Sequence, residues 1–344
     1  FSTSDSIDFS KPRTVTVFSS SGLGKKDYTI SVNIHKEKTD TFKWSQYPDC
    51  SFAKTAKDMK SFYLNGNIVL LASDGEKTST YSLDAANGRQ FNNLNTTLAT
   101  DAWKNALVNE NILYVLDGKT LKKTTNGQQY DTIMDNAPID RLIAASTKEI
   151  YGLDGNNNIM VSKDKGQTWN VDIMDSDSKY VPTDDISYIA IPFKYDNNSD
   201  YVLLAGNNAT AAAYTDSTAF VWSKTIDKSI DDKENKWTYY NYDSNSKSPL
   251  KSLDGLTLVC HGNYILALGG KGLGACKETA HAAIYFSLDN GLTWHNNDTI
   301  VYPYGFDKYN TAMAVCSDKD NYIWIVCNNT GQVWKGRMNE VAWQ

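Results

Sequence analysis

The first residues in this sequence that could do chemistry are carboxylates. Asp184-Asp185, Asp231-Asp232 and Asp298 lie in polar segments, and two carboxyl groups at a suitable separation can serve as general acid and base. Each candidate belongs to a different part of the chain, so spacing selects no pair. The four histidines, His35, His261, His281 and His295, are scattered, and only His281 falls in a connection that could face a ligand. The cysteines are Cys50, Cys260, Cys276, Cys316 and Cys327, an odd count without C-x-x-C spacing, which excludes a disulfide framework and a zinc site. Cys260 and Cys316 each end an apolar run and read as small core residues. Gly269–Gly274 lacks the G-x-x-x-x-G-K-[ST] order of a phosphate loop. Asp154–Asn158 begins like a calcium loop but has no glutamate at the twelfth position, and reads as a β-turn. These residues predict no metal and no cofactor.

The positive charge is skewed. Of 34 basic residues only Arg13, Arg89, Arg141 and Arg337 are arginines, so chemistry that needs several converging guanidinium groups is hard to staff. A net charge of −6 argues against a nucleic-acid partner, whose phosphates require a basic face. No apolar run approaches the ~20 residues that span a bilayer. With 344 residues, 41% of them hydrophobic, the chain can bury a large core.

The elements that must position any site emerge from a repeat. Ser162-Lys163-Asp164-Lys165-Gly166-Gln167-Thr168-Trp169 recurs as Ser287-Leu288-Asp289-Asn290-Gly291-Leu292-Thr293-Trp294. Degenerate copies occur at Asn126–Tyr130 and Ser82–Phe91. The pattern predicts a hairpin turn in which glycine supplies a positive φ, Asp and Ser bond the turn's own N–H groups, and Trp enters the core. Phe91, Tyr130 and Trp169 are spaced 39 residues apart, room for one four-stranded sheet per interval. Six pairs of apolar runs frame these turns, the first members being Ser61–Leu64, Ala106–Val108, Leu142–Ala145, Ile186–Ile191, Leu256–Cys260 and Ala312–Cys316. A third run follows each pair, and an aromatic heads the fourth in five sets. The sixth set lacks its fourth run, and Phe42–Tyr47 has the missing form. The expected fold is therefore all-β: a six-bladed β-propeller over 41–344, its last blade closed by the N-terminal strand, so that no sheet edge stays open. Residues 1–40 are expected to hold a short β-hairpin appendage and a charged linker.

The Ser162–Trp169 and Ser287–Trp294 segments resemble the Asp-box (BNR) repeat of sialidase-like and sortilin-like propellers. The overall order is similar to a family of exported Bacteroidetes-type proteins in which the end of an immunoglobulin-like domain, here Tyr28–Lys36, precedes a six-bladed propeller ending in a segment like Gly331–Arg337. The resemblance covers the whole chain. It implies that Ser162, Asp164, Gly166, Trp169, Ser287, Asp289, Gly291 and Trp294 are structural and lie opposite the ligand face. It also implies an exported protein, at the cell surface or in the periplasm, monomeric, and lipid-anchored through a removed N-terminal segment; the start at Phe1 reads as a processed product. A sialidase would need an arginine triad and the Arg-Ile-Pro signature; Ala190-Ile191-Pro192-Phe193 has no Arg, so that activity is not expected.

Long connections on the ligand face carry the remaining candidates. Tyr302, Tyr304, Phe306, Asp307 and Tyr309 form an aromatic cluster, and His281, Tyr214 and Tyr180 lie in neighbouring connections. Rings stack on sugar C–H faces and also make protein hot spots. The leading expectation is non-catalytic binding of a glycan or an envelope protein. The alternative is a carbohydrate-active enzyme, hydrolase or lyase, that uses loop carboxylates and Tyr on the same face.

Overall fold

The computed structural model describes residues 8–32, 41–193, 199–208, 217–227, 229, 234–242, 248–306 and 312–339. Six sheets of antiparallel strands follow one another along the chain. Their innermost strands are Asp58–Leu64, Ala106–Asn109, Arg141–Ala145, Asp184–Pro192, Thr257–His261 and Met313–Ser317. Each packs beside the next and the sixth packs against the first, which makes a closed ring. This is the six-bladed propeller that the repeat predicts. Blade six is completed by Thr41–Tyr47, paired with Val333–Asn339 from Val333↔Tyr47 to Asn339↔Thr41.

Three inner strands begin earlier than their apolar runs. Asp58, Met59 and Lys60 belong to the first, Arg141 begins the third, and Asp184 and Asp185 begin the fourth. A strand continues as long as its neighbour offers ladder partners, whatever the side-chain polarity, so the charged entry residues escape a hydrophobicity count. Blade five has three strands. The fourth run headed by Trp294 contributes only the bridge Phe286↔His295.

The core is divided in the same way as the ring. Six apolar clusters each fill the seam between two blades, because every sheet buries both faces against its neighbours. Trp222, Trp237 and Trp324 are completely enclosed in these seams. The cysteines are free thiols; Cys50, Cys276, Cys316 and Cys327 are buried and Cys260 partly so. Burial pushes the thiols of Cys50 and Cys316 up to about 12, so they are inert packing groups.

Outside the ring, Arg13–Phe18 and Lys25–Ile30 form a hairpin, with no further strand beside it among the described residues. Its apolar residues Val17, Phe18, Leu23 and Tyr28 are exposed. Among the described residues no helix is long and apolar enough to cross a membrane.

Candidate functional site

Within each blade adjacent strands are antiparallel, so the first and third strands run the same way. All inner strands therefore enter on one face, the mouth, and the third strands end on the opposite face. Ser162 and Ser287 close the third strands of blades three and five, which puts their turns on the face away from the mouth. The two turns share one hydrogen-bond scheme. Ser162 Oγ donates to Asp164 Oδ1 (2.8 Å) and accepts from Gly166 N (2.8 Å), while Asp164 accepts from Thr168 N and Oγ1 (2.8 and 2.6 Å). In the other copy Ser287, Asp289, Gly291 and Thr293 repeat these bonds at 2.8, 2.8, 2.9 and 2.6 Å. The indoles of Trp169 and Trp294 donate back to the carbonyls of Gly166 and Gly291. The Thr168 bonds, foremost, and those from Ser162 and Gln167 hold the Asp164 carboxyl down at about 2. The Ser, Asp, Thr and Trp side chains of the motif are engaged within the turn, so these residues hold it. Asp154 likewise accepts from Asn156 N and Asn158 N, which makes its segment a turn.

The expected aromatic surface divides. His281 and Phe306 are buried, and with half-buried Tyr302 they form a packed trio: His281 lies 5.3 Å from Tyr302 and 5.1 Å from Phe306, and Tyr302 stacks on Phe306 at 4.9 Å. The Tyr302 hydroxyl is 3.3 Å from the Gly269 carbonyl, which it donates to. Burial raises its pKa well above the usual tyrosine range. These three rings pack at the seam between blades five and six, with His281 and Phe306 buried and Tyr302 half-buried. The apolar spacing in Tyr302-Pro303-Tyr304-Gly305-Phe306 suits a plug as well as a platform, and the Gly269 connection below it decides for the plug. Tyr304 alone projects fully into solvent. Tyr180 sits in another seam, stacked on Tyr239 at 4.9 Å, its carbonyl accepting from Trp222 Nε1. Tyr214, Asp307 and Tyr309 lie outside the described residues, as do Asp231 and Asp232.

What the ring does bring together is a set of charges at the mouth. Lys60 of blade one donates to the Ala106 carbonyl of blade two (3.0 Å). Burial, and then the charge of Arg141, push the Lys60 ammonium down to about 8. Arg141, first residue of the blade-three inner strand, is depressed by burial and supported by the charges of Asp184, Asp185 and Asp101. No carboxylate among the described residues makes an ion pair with it, and its Nε is buried with no hydrogen-bond partner. Asp185 occupies a left-handed conformation (φ 48°) at an irregularity of the ladder between Asp184 and Ser187. A bulge of this kind re-aims a side chain, and Asp tolerates it better than most residues. Burial pushes its carboxyl up to about 6; Asp254 and Asp184 add to the rise, while hydrogen bonds from Asn207 and Gly255 oppose it. Asn207 Nδ2 reaches Asp185 (2.8 Å) and the Leu253 carbonyl (2.7 Å), and Ser252 Oγ donates to Asn207 Oδ1 (2.9 Å), so blades four and five are tied at this point.

Of these groups the sequence singled out only Asp184 and Asp185. Lys60, Asp101, Arg141, Asn207 and Asp254 went unnoticed. Lys60, Asp101, Arg141 and Asp254 share one signal, a position at or just before the entry of an inner strand, which becomes visible once the six runs are aligned; Asn207 instead ends the second strand of blade four.

A second concavity of about 450 Å³ opens beside the seam of blades three and four, lined in part by Lys163, Thr168, Asp172, Lys224 and Asn235. At its base Lys224 Nζ lies 2.6 Å from Asp172 and 3.1 Å from Glu149. The carboxylates of this triad have further partners: Trp237 Nε1 and the Ile173 amide donate to Asp172 (both 2.9 Å), the Tyr151 hydroxyl donates to Glu149, and Lys163 Nζ lies 3.7 Å from Glu149. Among the described residues no group of three or more His, Cys, Asp or Glu side chains is arranged to hold a metal.

Residues 38–344 match the DUF6242 beta propeller domain. No curated protein matches the chain. Among solved structures it is similar to a calcium structure of Trichoderma reesei Carbohydrate-Active Enzymes Family AA12 (8% identity, 98% of this chain and 100% of that one, TM-score 0.46). It is also similar to YCF48 bound to D1 peptide (13%, 90% and 99%, TM-score 0.44) and to the Niastella koreensis GH74 enzyme (17%, 81% and 45%, TM-score 0.41).

Proposed function

The chain belongs to the DUF6242 beta propeller family, and on that premise we propose that it is a non-catalytic binding propeller that receives a glycan at the mouth of its ring. One observation carries this reading: charged and amide groups from four blades converge on the mouth, and among the described residues its two cations, Lys60 and Arg141, form no ion pair with its carboxylates. Keeping such groups desolvated costs stability, and a fold accepts that cost where a ligand will use them. Carboxylates and Asn207 suit hydroxyl groups. Tyr304, on the connection into the inner strand of blade six and so on the same face, suits a sugar ring. The internally satisfied turns at Ser162–Trp169 and Ser287–Trp294 support an Asp-box identity and leave the opposite face as structure. The proposal includes an exported, monomeric protein at the cell envelope, with the exposed hairpin as the tail of an immunoglobulin-like domain. A glycan array probed with the protein tests the reading: binding that weakens on Tyr304→Ala supports it, and binding to no glycan sinks it in favour of a protein partner.

The elevated Asp185 carboxyl beside Asp254 and Asp184 favours one second reading, a carbohydrate-active enzyme with Asp185 as proton donor. New reducing ends or unsaturated products that disappear in Asp185→Asn would establish it over the first.

A further inference from the structure

We propose that the mouth seats the carboxylate of an acidic saccharide on Arg141, with Lys60 as the second cation. This rests on the binding-propeller reading and specifies the class of its ligand.

Arg141 is the one arginine on an inner strand. Its guanidinium enters the ring with a buried Nε that bonds to nothing, although Asp101, Asp184 and Asp185 are near enough to act on its charge. An arginine placed for stability normally closes a two-pronged bond with such a neighbour. Here the carboxylates support the charge from a distance without bonding it, and the buried Nε–H is left unsatisfied. Lys60, from the opposite side of blade two, adds a like charge that repels Arg141, spending its one hydrogen bond on the Ala106 carbonyl. Two cations held near each other without an anion between them form a site that an anion would stabilise.

The surroundings narrow the anion. Asp184, Asp185 and Asp101 are near enough to act on Arg141, and Asp254 stands beside Asp185, so carboxylates form the rim. A ligand with many carboxylates meets repulsion at that rim. A sugar acid brings one carboxylate for the guanidinium and several hydroxyl donors for the rim to accept. The same complementarity disfavours an acidic peptide, which carries many charges and few donors.

The scarcity of arginine makes the test direct. Protein labelled with ¹⁵N in arginine has only four Nε–H signals, from Arg13, Arg89, Arg141 and Arg337. Glucuronate and galacturonate are titrated against their neutral counterparts glucose and galactose, and against a hexa-aspartate peptide. The Arg141 signal is expected to move with the uronates alone, which bind at least tenfold more tightly than the neutral sugars. Arg141→Gln is expected to lower uronate affinity by roughly ten- to a hundredfold, the usual worth of a charge-assisted pair. Arg141→Lys, which keeps the charge, retains part of it. Equal binding of neutral and acidic sugars, with Arg141 unmoved, overturns the carboxylate seat but leaves a glycan-binding mouth standing. A shift of Arg141 with the peptide and not with the uronates overturns the saccharide in favour of an acidic protein partner. Silence toward all the sugars, together with a blank glycan array, overturns both readings.

Discussion

Replacing Lys224 by methionine should cost about 3–5 kcal/mol, the range for removing one partner of a buried ion pair. The methionine fills the volume of the stem. What disappears is the ammonium that bonds Asp172 at 2.6 Å and Glu149 at 3.1 Å, at a site where all three side chains are less than a tenth exposed. Two carboxylates are then left in a seam packed with Tyr151, Trp222 and Trp237, bonded by Trp237 Nε1, the Ile173 amide and the Tyr151 hydroxyl, with the half-exposed Lys163 ammonium 3.7 Å from Glu149. Urea denaturation followed by tryptophan fluorescence measures the loss. Two further measurements separate stranded charge from general disruption. Neutralising the partners as well, in Lys224→Met/Glu149→Gln/Asp172→Asn, should restore most of the stability, since an uncharged triad has little to desolvate. Acid should also narrow the deficit of the single variant. Burial already raises the Asp172 carboxyl against the lowering pull of Lys224. Without that cation its folded-state value rises further, so the folded protein binds more protons than the unfolded chain and gains relative stability as pH falls. A loss below ~1 kcal/mol, or a triple variant no better than the single one, would refute the argument that charge satisfaction holds this seam.

Other expectations follow from the same geometry. Asp185, raised from 3.8 to about 6, binds an extra proton in the folded state, so its contribution to stability falls as pH climbs from about 4 to 6. At ~1.4 kcal/mol per pH decade this amounts to ~3 kcal/mol, and Asp185→Asn should flatten that stretch of the stability–pH curve. Gly291 holds φ at +90° with Leu203 of the preceding blade against its α-carbon, so Gly291→Ala is expected to lower the thermal midpoint more than an alanine at exposed Leu292 does. Phe42 stacks on Trp44 at 4.8 Å and on His261 at 5.1 Å where blade six closes, and Phe42→Ala should cost about 3–5 kcal/mol in chemical denaturation.

The architecture was legible because each blade writes the same local physics into the chain. A turn such as Ser162–Trp169 requires Ser, Asp and Gly at fixed offsets, and those offsets survive into the sequence. The mouth was not legible in that way. Lys60 and Arg141 are 81 residues apart and meet only because blades one and three face a common axis. Runs delimited by hydrophobicity also stop short of both, since a charged residue can be the start of a strand while interrupting its apolar pattern. Tyr302 and Phe306 are the converse case. Aromatic density in a long connection reads as surface, and only the three-dimensional course of the Gly269 and His281 segments shows the rings to be filling. Periodic features report the scaffold, and departures from period report what the scaffold is holding.

The pairing of Thr41–Tyr47 with Val333–Asn339 also governs how the protein comes into being. Tyr47 and Val333 are 286 residues apart, so closing this contact in an otherwise unfolded chain would cost about 5 kcal/mol of loop entropy. A nearest-neighbour pairing such as Met59↔Ala72 pays about 2 kcal/mol on the same scaling. During synthesis the early blades can order one after another, but Thr41–Tyr47 must wait for its partner until the last strand leaves the ribosome. The first propeller strand to be made is thus the last to find its place, and the seam it closes is the one where folding and unfolding rates should be most sensitive to mutation.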